Sequence, residues 1–450
     1  MTPGPTPSGA VRRFATAGLL VLLATRLSAS PLPDPLKLDE ALRLAGDDHP
    51  SLALSRAALA DVEAAAQETA ANDDLDVGAR LEARLIEPSN AANDQSHNDS
   101  RASLHAQKRL YDFGRTAALE AAADSSVAGS QLRFTAARTH HRIDIMKAFF
   151  DVLLADLEYA RDNEAMAVAY VGADRTRDRN ELGQVSDSEK LKQEDSFEAL
   201  RMRRYRAQAR QRTARAKLAQ LLDRPDDLPS NLVRPQLPEN NQPLPEYPDL
   251  LEAALARNPQ VLSLKADLEA ARLQIKAERA GGRPVVSGSL SASAGERDVS
   301  SRDPLAAELR LEIPLYEGAR IDAGVAKARA RLDRLGAELR QLEYNLRQKL
   351  LEVWLDIQTL LAQREQVKKF AEYRDLNFDR AQAEYELELK TDFGDALVGQ
   401  SESALLAART EFQLALDWAR LTALTGEPYS PYLEVPTNQP GSDTDATIHR

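Results

Sequence analysis

The residues able to do chemistry are few. Six histidines and no cysteine exclude a disulfide framework, a thiolate metal site, a cysteine nucleophile and a lipid-modified N-terminal cysteine, while an oxidising compartment stays open. His140 and His141 are adjacent, about 100° apart on a helix, so they cannot converge on one metal ion and are expected to be solvated or interhelical polar residues. His97 and His105 flank a polar loop that supplies no defined ligand set, and surface positions are expected for both. A Gly-rich phosphate loop and a nucleophile elbow are both missing. These residues therefore call for no enzyme, no cofactor and no metal centre. The net charge of −12 lacks the electropositive surface that nucleic acid requires, so nucleic acid is not an expected partner. Arg201 to Arg215 holds seven arginines, which fits a solvated helix face paired with acidic neighbours better than a membrane-surface role.

Two short segments concentrate the remaining candidates. Gly183, Ser186, Asp187 and Glu189 form one; Lys390, Thr391, Asp392 and Asp395 form the other. Ser186 and Glu189 have the spacing of a capping box, and Asp392 can cap a following helix. If several copies converge on one axis, the aspartates also make a ring of negative charge, with Lys390 tying neighbouring turns together.

The elements that place these turns come from a duplication. Residues 39–71 resemble 249–281 with Pro50 laid on Pro259, an offset of 209 (259 − 50). Leu110-Tyr111-Asp112 matches Leu315-Tyr316-Glu317 at an offset of 205 (315 − 110), and the same offset aligns Glu181-Leu182-Gly183 with Glu386-Leu387-Glu388. A constant offset implies a rigid element, and the four-residue slip belongs in a loop. Although the chain has 23 prolines, none lies between Pro88 and Pro225 or between Pro314 and Pro428. Since an interior proline costs about 3 kcal/mol, these empty stretches predict long helices. Leu335, Leu339, Leu342, Leu346, Leu350, Val353, Ile357 and Leu360 follow the helical period as one apolar stripe. From Gly114 or Gly318 to the next breaker, each helix should be roughly 100 Å long. Trp354 and Trp418 fall among apolar helical positions and are expected to pack between helices.

Between the short first helix and the long one, each half alternates apolar and polar residues. Val77, Ala79, Leu81, Ala83 and Leu85 do so in the first; Leu305, Ala307, Leu309, Leu311 and Ile313 do so in the second. Partner strands are expected at 102–110 and 285–294, across the polar loops 87–101 and 295–304. Strands of nine to eleven residues with one apolar face suit a membrane barrel, although a half-buried hairpin alternates the same way. Four strands cannot close a barrel, and bare edges cannot face lipid, so a membrane role needs three copies and twelve strands.

Arg12 and Arg13, the apolar run from Phe14 to Ala24 and the small residues up to Ser30 match a secretory signal peptide. Its removal takes three arginines and leaves the mature chain near −15 (−12 − 3). The expected organisation is a signal peptide at 1–30, a first repeat at 31–222, a Pro-rich linker at 223–248, a second repeat at 249–426 and a tail at 427–450. Composition makes the linker, with seven prolines, an extended segment.

Helix, β-hairpin, very long helix, sharp turn and shorter helix, all duplicated, resemble the TolC-like outer-membrane efflux protein family over nearly the whole mature chain. Leu38-Asp39-Glu40-Ala41-Leu42-Arg43-Leu44-Ala45 with His49-Pro50, Leu110-Tyr111-Asp112-Phe113-Gly114-Arg115, and Arg179-Asn180-Glu181-Leu182-Gly183 with Ser186 are similar to the family's opening, strand-to-helix and turn motifs. The resemblance implies a mainly α fold with a small β part: duplicated antiparallel helices forming an α-barrel tunnel, and two β-hairpins per protomer in a trimeric 12-stranded β-barrel. It further implies a homotrimer in outer-membrane lipid with a long periplasmic extension, docked to a periplasmic adaptor (membrane fusion) protein and an inner-membrane pump. The two turns would then be the periplasmic gate or adaptor contact. The competing reading is a periplasmic coiled-coil spacer without a pore. Two departures stand out: Glu388 replaces the glycine that Gly183 supplies, and Gly394 occupies the family's acidic position between Asp392 and Asp395.

Overall fold

The computed structural model describes residues 32–44, 46, 48–91, 93–296, 304–387 and 393–433. The expected signal peptide and the last seventeen residues of the tail, 434–450, lie outside the described residues. The first half runs α1 (Leu38–Leu44), α2 (Pro50–Ala71), β1 (Asp76–Glu82), β2 (Arg101–Tyr111), α3 (Arg115–Glu181) and α4 (Asp187–Leu221). A 3-10 turn, Pro238–Asn241, lies between the halves. The second half runs α5 (Tyr247–Arg257), α6 (Pro259–Ala280), β3 (Val285–Gly295), β4 (Leu305–Glu312), α7 (Arg320–Glu386) and α8 (Gly394–Thr425).

The long helices α3 and α7 each have 67 residues, about 100 Å at 1.5 Å per residue. Their boundaries lie 205 apart at both ends, Arg115 to Arg320 and Glu181 to Glu386. The opening helix of each half is broken by the aligned prolines. Pro50 and Pro259 stand at the first positions of α2 and α6, where their missing N–H costs nothing, and His49 and Asn258 cap them. Thus 39–71 and 249–281 are helix pairs rather than single helices.

α3 packs against α2, α4, α6 and α8, whereas α7 packs against α5, α6 and α8. The protomer is a strip of helices, ordered α2-α3-α6-α7 toward the sheet and α4-α3-α8-α7 toward the turns. Small residues let α3 lie close to α6: a Cβ on Gly129 would stand 3.1 Å from the Ser263 carbonyl. Apolar burial concentrates midway along the strip. There Phe149, Phe150 and Phe412 meet Ile145, Met146 and Leu218, and the Phe150 and Phe412 rings stack at 4.6 Å. Beside them the leucine stripe of α7, through Leu350, Val353 and Ile357, closes on Trp418 and Leu414. Both tryptophans take interhelical places, with Trp354 also donating from Nε1 to the Pro245 carbonyl at 3.0 Å.

The segment 223–248 is extended over much of its length but is not a free linker. Leu232 forms a parallel bridge with Leu36, and the buried Asn240 donates to the Glu411 carboxylate at 2.7 Å while its carbonyl accepts from Arg364 at 3.1 Å. Composition registers the prolines; it cannot register polar groups that find partners on α7 and α8.

Candidate functional site

The four strands form one antiparallel sheet in the order β1-β2-β3-β4, so the two hairpins join through β2 and β3. Register sorts the side chains by face, because neighbours in a ladder share a side and residues alternate along a strand. One row runs Ala79, Leu104, Ala292, Leu305; the rows flanking it run Leu81, Ala102, Ala294 and Val77, Ala106, Leu290, Ala307. With Leu309 and Leu311 these make a mostly apolar face, on which Lys108, in the row Lys108, Gly288, Leu309, is a charged exception. Its leucines lie open to the surroundings: Leu81 is 84% exposed, Leu104 59% and Leu309 73%. Between these rows the opposite face runs Gly78, His105, Ser291, Ala306 and Asp76, Gln107, Ser289, Glu308. Leucine and alanine predominate on one side, and serine with paired charges on the other, so the sheet is two-faced.

β2 and β3 have eleven residues each, but β1 has seven and β4 eight, shorter than the nine to eleven expected. The shortfall is confined to the outer strands. Each has a partner on one side only, so its ladder ends early, whereas the inner strands are held on both sides. Beyond β1 the hairpin continues through the Leu85–Asn98 bridge and a bond from the Ile86 N–H to the His97 carbonyl at 2.9 Å. Among the described residues, both sheet edges and both edges of the helical strip have no partner element within the protomer.

A fixed elbow joins sheet to helix. Phe113 and Gly114 take positive φ values of 56° and 88°, the left-handed turn that swings the chain from β2 into α3, and glycine accepts it without strain. Asp112, buried, holds the turn: Oδ1 accepts from the Gly114 and Arg115 N–H groups at 3.1 Å, and Oδ2 accepts from the Thr116 N–H at 2.7 Å and hydroxyl at 2.6 Å. Burial alone would raise its pKa, but the Thr116 hydroxyl and the three amides outweigh it and hold the carboxyl below its ordinary range. The second elbow has Gly318 at φ 64° and a Glu317–Arg320 ion pair at 2.6 Å. Around both, Tyr111, Phe113 and Tyr316 are exposed at the helix-proximal end of the sheet.

At the opposite end the first turn brings its four candidates together. Gly183, at φ 70°, donates to the Asn180 carbonyl at 2.9 Å while Gln184 donates to Arg179 at 2.8 Å, a paired closure that requires the left-handed residue. Ser186 caps α4 by accepting from the Glu189 N–H at 3.2 Å. Asn180 donates to the Val185 carbonyl and to Asp187, both at 3.0 Å. The second turn is described only from Phe393 onward. Lys390, Thr391 and Asp392 lie outside the described residues, so the expected Asp392 cap does too. The residue at the N-cap of α8 is Phe393, with no side-chain cap, and Asp395 stands in the first helical turn. Phe393 instead packs on Phe378 and Tyr385 at ring distances of 6.1 and 5.1 Å. Among the described residues, no hydrogen bond or ion pair joins Asp395 to the first turn. The aromatic cluster was missed in the sequence; the i, i+7 spacing of Phe378 and Tyr385 is the signal that could have disclosed it.

The other chemically able residues take structural places. Arg203 meets Asp162 at 3.0 Å, Arg210 meets Glu158 at 3.1 Å and Arg215 meets Asp156 at 2.7 Å, so the basic run of α4 pairs with acids on α3. His141 is interhelical and buried, stacked on His49. His97 pairs with Glu87 at 3.4 Å, and His105 lies over Gly78 on the sheet. No metal-binding cluster occurs among the described residues, nor a helix long and apolar enough to cross a membrane.

The sequence profile of the outer membrane efflux protein family matches residues 250–427. A search of curated proteins finds no significant match. Among solved structures, the fold is similar to the Campylobacter jejuni CmeC outer membrane channel, at a TM-score of 0.71 and 14% identity over 93% of this chain and 94% of that one. It is also similar to the outer membrane protein VceC of Vibrio cholerae, at 0.66 and 18% over 86% and 95%, and to a membrane protein from Pseudomonas aeruginosa, at 0.70 and 20% over 86% and 90%. The family resemblance is thus supported in sequence over 250–427 and in fold over most of the chain.

Proposed function

We infer that this chain, a TolC-like outer-membrane efflux protein by its second repeat and its fold, is the outer-membrane channel of a multi-protein efflux or secretion system. The observation that carries the reading is the two-faced sheet with both edges open, set on helices of about 100 Å that leave the strip open along the same two sides. An unpaired edge cannot stand in lipid. Copies joined head to tail satisfy every edge when the ring closes, and three copies make a 12-stranded barrel with the apolar rows outward and the serine rows lining the lumen. The helical strips continue the ring as a periplasmic tunnel. Exposed apolar residues lie on both of its flanks, Leu54, Leu191, Met202 and Tyr205 on α2 and α4, and Tyr344, Leu351, Tyr373 and Leu376 on α7; these would meet across the seams.

The tunnel's far end holds the two turns. There Gly183, Ser186, Asp187 and Glu189, with Asp395 and the adjoining Lys390, Thr391 and Asp392, would form the entrance and the contact for a periplasmic adaptor that links the channel to an inner-membrane pump. The chemistry of such a duct is passage, not catalysis.

The absence of cysteine gives a direct test. Ala79→Cys on β1 and Ala307→Cys on β4 are placed in one chain, and the membranes are treated with a short bis-maleimide. Covalent trimers that fractionate with the outer membrane and need detergent are expected. Cross-linking confined to single chains, or protein released by osmotic shock, favours the spacer.

A further inference from the structure

Each half of the chain has a junction at the start of its proline-led helix: α2 packs on α3 in the first, and α6 begins beside the end of α8 in the second. In the second half the cap is an amide, which does not titrate, although His140 of α3 and Lys349 of α7 line the pocket beside it. Asn258 accepts from the Gln260 and Val261 N–H groups at 3.0 and 3.2 Å and donates to the Leu424 carbonyl of α8 at 3.0 Å. Leu346 on α7 lines the same place. In the first half, His49 takes the cap position and His141 on α3 stands where Leu346 does, 205 positions earlier (346 − 141). Two ionisable rings thus replace an amide and a leucine. They stack with centroids 4.3 Å apart and planes 30° apart, a parallel arrangement that points their lone pairs along the rings and not at a shared metal.

The cap made by His49 needs a bare Nδ1. Its Nδ1 accepts from the Ser51 N–H at 3.3 Å and lies 2.8 Å from the Ser51 hydroxyl, so this nitrogen is the bare one in the capped state. A proton there sets N–H against N–H, removes the cap and puts positive charge at a helix N-terminus, whose own partial charge is positive. It also places a cation against His141, which is 4% exposed and whose Nε2 has no hydrogen-bond partner. Burial, then His49, hold the His141 pKa below its ordinary 6.5; Asp144 on α3 and the Leu221 carbonyl at the end of α4 oppose them and lose. His140 is its neighbour on α3, and Asp48, beside His49, is engaged by Arg56 at 3.4 Å. With the folded value lowered, the unfolded chain takes up the proton first. The stability contributed by the neutral ring is complete above about pH 6.5 and drains away as pH falls toward the lowered value.

We propose that His49 and His141 form an acid-released latch on the first junction, freeing the start of α2 from α3 as pH falls while the Asn258–Leu346 junction stays closed. The latch stands on internal asymmetry and is independent of whether the chain forms a pore.

Hydrogen exchange on the full-length protein, at pH 7.5 and 5.5 and corrected for intrinsic rates, tests it. The Leu52 and Ala53 amides, which donate to the His49 carbonyl, should open roughly fivefold more at the lower pH, the equivalent of a lost cap. The Leu262 amide, bonded to the Asn258 carbonyl, should not change. His49→Asn with His141→Leu, which copies the second junction, should abolish the difference; His141→Leu alone, which keeps the native cap, should reduce it. Equal acid opening at both junctions, no acid opening in the folded wild type, or persistence of the effect in the double variant each overturns the latch.

Discussion

Arginine at position 104 separates a membrane wall from an ordinary exposed hairpin. Leu104 lies on the inner strand β2 in the row Ala79, Leu104, Ala292, Leu305, on the apolar face. It is 59% exposed in the protomer, so in a water-facing hairpin Leu104→Arg should change stability by no more than about 0.5 kcal/mol. On a barrel's lipid face the same change costs about 2–4 kcal/mol near the bilayer midplane. Carried by each of three copies, this becomes roughly 6–12 kcal/mol per trimer, enough to stop assembly. Ser291→Arg is the matched control. It lies one residue along β3 in the row Gly78, His105, Ser291, Ala306, on the face that the proposed barrel turns to its lumen, where water would solvate the charge. The assay is the yield of heat-resistant trimer in outer-membrane fractions. Leu104→Arg should lose nearly all of it and Ser291→Arg should keep most. Equal tolerance of both, or the reverse order, would refute the assignment of faces.

Other expectations concern the ends and middle of the strip. Asp112→Ala removes four hydrogen bonds from the α3 elbow and should cost about 1–2 kcal/mol, read as a lower melting temperature that Asp112→Asn partly restores. Trp418→Ala opens the best-packed part of the middle core and should cost about 3–5 kcal/mol; an unchanged melting point would mean that the core lies elsewhere. Asp395→Asn should leave melting intact yet alter ion selectivity if the turn lines the entrance. Unchanged selectivity in a folded trimer would make Asp395 an ordinary first-turn carboxylate.

Much of this architecture is legible because it is periodic and repeated. The proline-free stretches and the constant 205 offset locate α3 and α7, and the leucine stripe of α7 marks the side that closes on Trp418. Strand alternation identifies the apolar face before register does. What escapes the sequence depends on neighbours. The early end of β1 follows from its lack of a second partner, which no local pattern records. Burial of Asn240 and the docking of 223–248 rest on Glu411 and Arg364, more than a hundred residues away. In the turns, the Ser186 cap is visible as spacing, whereas the Phe393 cluster needs α7 folded back beside α8. His141 looks like one of two polar neighbours until α2 brings His49 onto it.

The central claim is that three copies enclose a continuous water-filled path, and single-channel recording of the purified trimer in a planar bilayer tests it most directly. Discrete conductance steps are expected, with a preference for cations, because the chain is acidic overall, at −12, and a low-dielectric wall amplifies the field inside a pore. A verified trimer that inserts into the bilayer and never passes current would contradict the account.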